Sequence, residues 1–451
     1  MPESCQPKPP GTNRDLFALF SHSPPGLRQG AASRWCLIPV IGLAVVNLAP
    51  AQEALQSSLA GDAAAAARNL QLQSQPYTFK AGDFKLQVTP SLALNWNDNI
   101  TLTKTNTESD FILSPRLALD GSYPVGAYNQ FNLSVAFGYN KYLDHDQYSQ
   151  WYLGSDSGLS FDSYVKDFWI NVHDRFQLTQ DPAAESAVAG TGNYGTFQNT
   201  AGLSVTWDLK DINLKLGYDH QNVESLSSQN DQVNSASELL VSQAGVQVNP
   251  KVTFGVEGTA SFMTYEQSVL NDNQMYSAGI YGDLRPGLYF SVQPHFGYTI
   301  YESSQTSSSI QGGNINTWYA DLTLTHQATD FLTYALSAGH EIRPGVESDA
   351  IVVTYVRPGI TWNVIKNVSL QTSGFYEHGD ESAGQQASLL ENNYNWYGGA
   401  LSLSYSPMKE VSISLNYRLT FRSSNVATGE YTQNQVGLLI SYTPQFTDTP
   451  Q

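Results

Sequence analysis

Seven arginines and seven acids stand at alternate positions of segments whose intervening residues are largely apolar: Arg116, Arg175, Arg285, Arg343, Arg357, Arg418 and Arg422, with Asp120, Asp156, Glu257, Asp283, Asp321, Glu341 and Glu377. Facing rows of opposite charge inside a water-filled bore would set a transverse field and tune the passage of ions or sugars. The other reading is that they pair and simply fill a wet interior. Reaction chemistry has less support. The chain contains no Gly-x-Ser-x-Gly elbow, no His-Glu-x-x-His zinc pair and no phosphate-cradling Walker loop. The histidines at 145, 173, 220, 295, 326, 340 and 378 are scattered singly. His340 and Glu341 are adjacent, so strand alternation sends them to opposite faces. The expectation is a non-enzyme with no cofactor and no metal site.

Those charges need elements of period two to position them. In Val411-Ser-Ile-Ser-Leu-Asn-Tyr-Arg-Leu-Thr-Phe421 every odd residue is apolar and every even one small, polar or basic. Residues 86–96 and 131–139 repeat the pattern. Tight turns fall near Pro124-Val-Gly, Val165-Lys-Asp, Leu209-Lys-Asp, Asn249-Pro-Lys, Arg285-Pro-Gly, Ala328-Thr-Asp, Ile365-Lys-Asn and Pro407-Met-Lys. Longer polar segments alternate with them, around 97–110, 143–150, 179–195, 225–236, 266–274, 303–316, 344–349, 379–393 and 423–431. Short turns on one side and long loops on the other describe a transmembrane antiparallel up-and-down β-barrel. The spacing predicts about 18 strands over residues 83–446, with 16 as the fallback, because each stave then has the roughly 9–11 residues a tilted membrane strand needs. In hydrocarbon only helices and closed barrels satisfy every backbone N–H and C=O.

Composition agrees. Of 451 residues only 14% are charged and 41% hydrophobic, while Tyr (26), Phe (19), Trp (8) and Gly (35) are plentiful. A greasy outside and a wet inside average to such a mixture. The net charge of −18 lacks the basic footprint that phosphate neutralisation requires, so nucleic acid is not an expected partner. Both cysteines, Cys5 and Cys36, lie before the expected processing site, which follows an apolar run that Cys36 opens and that ends in Ala49-Pro50-Ala51. Residues 1–51 therefore read as a leader with a secretory signal. Residues 52–82 read as a short periplasmic segment, helical or disordered, and 447–451 as a tail.

Aromatic residues near expected strand ends, Trp96, Tyr139, Trp151, Trp207, Tyr298, Trp362, Trp396, Tyr405 and Tyr442, read as interfacial girdles, with a carbohydrate-stacking track as the sharper alternative. The last strand carries Gln435, Gly437, Ile440, Tyr442 and, beyond it, Phe446. It resembles the carboxy-terminal targeting strand of bacterial outer-membrane proteins, which implies the barrel-assembly machinery as a partner. The first two strands carry Thr89-Pro90-Ser-Leu-Ala-Leu-Asn-Trp96-Asn-Asp98-Asn99-Ile100 and Ser109-Asp110-Phe-Ile-Leu-Ser-Pro115. This resembles the putative β-barrel porin 2 group, whose members open with an Asp-Asp-Asn-like turn and a second Asp before the return strand. Asn97 here replaces the first acid. The resemblance implies an outer-membrane channel and, for some members, an association with exopolysaccharide export systems.

The function expected is passive diffusion of small hydrophilic solutes through an integral outer-membrane barrel surrounded by lipid. A structural or surface-interaction barrel is the alternative. Loop 179–196 is long enough to fold inward as a constriction, and its Gly, Ala and Ser content suits an exposed surface loop equally well. An unobstructed bore would favour transport, and a bore filled by loops would favour structure. Nothing in the sequence sets an oligomeric state.

Overall fold

The computed structural model describes residues 77–228, 230–304, 306–307, 312–381 and 392–446. The expected leader, most of the 52–82 segment and the 447–451 tail lie outside them. Period-two alternation becomes one antiparallel sheet of twenty strands. In chain order these are β1 (Phe79–Ala81), β2 (Phe84–Asn97), β3 (Asp110–Pro124), β4 (Asn129–Tyr142), β5 (Gln150–Leu153), β6 (Gly158–Val165), β7 (Phe168–Thr179), β8 (Thr196–Asp208), β9 (Ile212–Ser225) and β10 (Ser235–Asn249). They continue with β11 (Val252–Tyr265), β12 (Asn273–Gly287), β13 (Phe290–Ser303), β14 (Asn314–Thr329), β15 (Leu332–Pro344), β16 (Ala350–Ile365), β17 (Val368–Asp380), β18 (Asn393–Met408), β19 (Val411–Ser424) and β20 (Tyr431–Tyr442).

Two of these are not separate staves. β1 is a short return along the start of β2. β5 and β6 both pair with β4 and are one stave interrupted at residues 154–157. Eighteen staves remain, and β2 closes the barrel on β20 from Ser91↔Ser441 to Asn97↔Gln435. Closure removes the unpaired edges that an open sheet would present. The connectors sort into two rims as expected, with two refinements. The turn expected at Arg285-Pro-Gly lies further on, because β12 runs through Gly287. Phe446 is outside the last strand, which ends at Tyr442; Phe446 instead bridges Tyr77. Lys166, Lys210 and Asn367 take left-handed φ in the tight turns, a conformation such turns demand.

Alternation sorts the side chains cleanly. Leu216 (65% exposed), Ile280 (60%), Val256 (58%) and Leu415 (53%) belong to an outward apolar belt far larger than an isolated surface patch, and it needs hydrocarbon to cover it. The inward face is polar, with a hydrogen-bonded web across staves. Asp162 accepts from Asn171 Nδ2 (2.8 Å) and Trp169 Nε1 (3.0 Å), and His173 joins Asn171 (2.8 Å) to Asp219 (2.9 Å). The last contact passes over Gly202, where a Cβ would stand 1.8 Å from Asp219 Oδ1.

The motif at the seam has a structural task. Asp98 accepts from Asn434 N (2.6 Å) and Nδ2 (2.7 Å), and Asn99 Nδ2 donates to Thr432 O (2.9 Å). The turn after the first stave thereby clamps the last. Asp110, at the start of β3, accepts from the backbone N–H of Leu143, Asp144 and His145 and so shapes the next loop.

Candidate channel constriction

The segment between β7 and β8 begins with Asp181, whose carboxylate accepts from Ala183 N (3.0 Å), and with Pro182, which opens a single 3₁₀ turn over Pro182–Ala184. The cap and proline fix the direction in which the chain leaves the rim. Small residues then let the loop lie against a wall: Ala183 is wholly buried, and Ser186 and Val188 nearly so. Gly190 has φ of 71° and donates to Leu102 O (2.9 Å). The loop folds into the bore and is not an exposed surface loop.

Its receptor is the inner wall of β16–β20. Arg422 Nε donates to Ser186 O (2.8 Å) and Arg418 Nη2 to Ala183 O (3.4 Å). The Ser186 hydroxyl donates to Glu377 Oε1 and meets Tyr394 OH at 3.0 Å. Ala183 packs in a cluster with Ile351, Val353, Tyr394, Trp396 and Tyr431. Beside it runs a charge ladder. Arg343 donates to Glu341 (2.7 Å) and Glu377 (3.0 Å), and Arg357 lies 3.4 Å from Glu377 and 4.6 Å from the centroid of Tyr355.

A second element enters the bore that the sequence did not reveal. β15 pairs with β14 only as far as Ala320↔His340, yet stays paired with β16 to Pro344↔Ala350. The tip of this hairpin leaves the wall and leans inward. Ile342, outward by alternation, is therefore buried with Leu239, Met275 and Tyr301, which face inward from β10, β12 and β13. Asp349 pins the tip, accepting from Asn271 N (3.0 Å), Asn271 Nδ2 (2.8 Å) and Ser303 Oγ (3.0 Å). A cavity of about 20 Å³ between hairpin and wall, lined in part by Gln221, Ser237, Asn273 and Arg343, has room for one water.

All the charges expected on the inward face within strands point inward, and Asp156 reaches inward from the β5–β6 link. They do not form open facing rows. Glu341, Arg343, Glu377 and Arg422 are at most 5% exposed, because the loop and hairpin cover them. Arg116 pairs with Asp156 (3.2 Å) and Arg285 with Asp283 (2.7 Å). Asp120 accepts from Ser134 (2.6 Å), Glu257 from Tyr319 (2.7 Å), and Asp321 from Tyr355 (2.9 Å). Arg175 faces inward with its stem beside Gly158. Glu257 also meets His295 at 2.8 Å. Pairing dominates, and Arg116, Asp156, Asp283, Arg285 and Arg357 keep the more exposed side chains.

Of the nine expected girdle aromatics, Trp96, Tyr139, Trp151, Trp207, Tyr298, Trp362, Tyr405 and Tyr442 point outward. Trp396 does not. It is completely buried inside the barrel, 4.1 Å from Phe375 by ring centroids and donating to Tyr431 OH (3.1 Å). Gln435 and Gly437 face inward, Ile440 and Tyr442 outward. Ser186, Tyr355, Tyr394 and Asp349 were not singled out from sequence; inward parity was the available signal for the two tyrosines. Among the described residues no group of three or more His, Cys, Asp and Glu is placed to hold a metal ion.

The family model described as putative beta-barrel porin 2 matches residues 74–443. Among solved structures, similarity is found to OccAB3 of Acinetobacter baumannii (12% identity, 81% of this chain and 100% of that one, TM-score 0.47). OccK11 (OpdR) of Pseudomonas aeruginosa shows 12% identity over 83% of this chain and 98% of that one, TM-score 0.45. A BenF-like porin of Pseudomonas fluorescens Pf-5 shows 10% identity over 81% and 99%, TM-score 0.46. No curated protein matches the sequence.

Proposed function

The chain belongs to the putative beta-barrel porin 2 family, and from that premise we propose that it is an integral outer-membrane channel for passive diffusion of small hydrophilic solutes, throttled by the β7–β8 loop. The observation that carries this reading is the folded-in loop docked on charged residues of a closed eighteen-stave barrel. Barrels of roughly this strand number are wide enough for an aqueous path, whereas about eight staves fill with side chains. A polar inner face replaces part of a solute's hydration at low cost, and the loop sets the narrowest level. Lipid covers the outward belt, and the last stave serves as the signal to the assembly machinery.

The bore filled at its long-loop end favours a second reading, a structural barrel whose loops face partners. Liposome swelling separates the two. A channel passes arabinose faster than raffinose, with control liposomes inert, while a structural barrel swells in neither. The link to exopolysaccharide export belongs to the same assay: acidic fragments of the secreted polysaccharide should enter faster than neutral oligosaccharides of equal size, and equal rates would remove that link.

A further inference from the structure

We propose that the inner wall of β10–β14 carries a stacking platform for pyranose sugars, built from Tyr281, Tyr319 and His295. The inference rests on the channel reading above, since it names a solute class for that bore. The foundation is four inward glycines set in opposed pairs, Gly245↔Gly255 and Gly279↔Gly297. Tyr281 reaches from β12 across the first pair and Tyr319 from β14 across the second, each ring filling the space where glycine Cβ atoms would stand. One face of each ring therefore lies on bare backbone and the other looks into the bore; both residues are half-buried. His295, opposite Tyr281 in the ladder, adds a third ring nearly parallel to it (17°, centroids 5.8 Å apart). Glu257 fixes the direction of two of the rings, accepting from Tyr319 Oη (2.7 Å) and meeting His295 Nδ1 at 2.8 Å.

The edge of the platform supplies the polar half of the chemistry. Among the described residues neither the Tyr281 hydroxyl nor His295 Nε2 has a hydrogen-bond partner. Asp321, opposite His295, uses Oδ2 for Tyr355 and keeps acceptor capacity. Flat apolar ring faces edged by a few donors and acceptors fit a pyranose, whose C–H groups cover a ring while its hydroxyls take the edge. An acyclic polyol has the hydroxyls without the face. Rings packed over glycine would by themselves stiffen the sheet, but stiffening requires no polar groups gathered at their rim. The same ladder row runs on from Asp321 through Gly339 and Tyr355 to Glu377, in the wall under the β7–β8 loop. The platform thus lies on the path of a solute that has passed the constriction.

The test is saturation-transfer NMR on the full chain in detergent micelles, titrated with methyl β-D-glucopyranoside and, separately, with sorbitol, with empty micelles as the blank. The glucoside should bind about tenfold more tightly than sorbitol, with saturation strongest on the axial C–H protons of one face. Tyr281→Ala together with Tyr319→Ala should weaken glucoside binding about tenfold, two ring contacts being lost. Heat-modifiable gel mobility reports folding. If the double variant fails to fold, the comparison of glucoside with sorbitol on the unaltered chain carries the test, joined by Tyr281→Ala alone with an expected loss of about threefold. Equal binding of glucoside and sorbitol, even saturation of both ring faces, or indifference to loss of the tyrosines overturns the proposal. Binding is read without current, so a barrel that binds the glucoside and swells in no sugar would overturn the channel reading alone. A barrel that passes sugars and binds glucoside and sorbitol alike would overturn this one alone.

Discussion

At the residue scale the most consequential group is Glu381, just past the end of β17. Burial pushes its carboxyl up to about 7, against the partial opposition of Arg422 and a hydrogen bond from Asn392, and with reinforcement from Glu347 and Glu185 on the two loops that pack against it. A carboxyl whose pKa is raised in the packed arrangement favours that arrangement in its protonated form. The contribution is fully present below its ordinary value of 4.5 and is lost as pH rises through about 7. Loop docking should therefore weaken between pH 5 and pH 8, with channel openings growing about tenfold or more. Glu381→Gln should flatten that profile, which recordings at the two pH values would check; an unchanged slope in the variant would remove Glu381 from the account. Trp396 shows where residue-level reading fails. In Tyr394-Asn-Trp396-Tyr397 both parities carry aromatic rings, so a ring near a strand end is not by itself an outward one; Leu401, Leu403 and Tyr405 further along the stave put the odd positions outward and Trp396 inward. The register of β18 with β19 agrees, setting Trp396 opposite the inward Arg422.

At the scale of elements, strands and turns were legible because period two persists along each stave and the connectors fall into two lengths. The inward hairpin was not. Its loop, 344–349, is short, and nothing local signals that β15 parts from β14 at His340; the cause lies in long-range contacts, chiefly Asp349 with Asn271. The β7–β8 loop was legible as a candidate from length alone, and its docking required Arg418 and Arg422, 235 and 236 residues away in sequence. The family motif turns out to act at the seam. Asp98→Ala removes two hydrogen bonds to Asn434 and leaves that side chain searching for a partner. The expected cost is about 1–3 kcal/mol, seen as a lower temperature for loss of the compact gel form. An unaltered transition would mean that ladder pairing of β2 with β20 suffices.

At the scale of the whole molecule, closure and the outward belt fix where the chain can live, and the contents of the bore fix what it can do. An empty eighteen-stave barrel would be a wide sieve. Here the loop and the hairpin convert the long-loop end of the bore into a packed interior whose core is partly ionic, and buried ion pairs of this kind are weak contributors to stability compared with apolar packing. The most direct measurement is single-channel conductance of the purified chain in planar bilayers, intact and with residues 182–190 replaced by Gly-Gly-Ser. The account predicts small, infrequent openings for the intact chain and a several-fold larger, steadier conductance once the loop is shortened. Silence from both chains, each shown to be folded and inserted, would contradict it and leave the structural barrel.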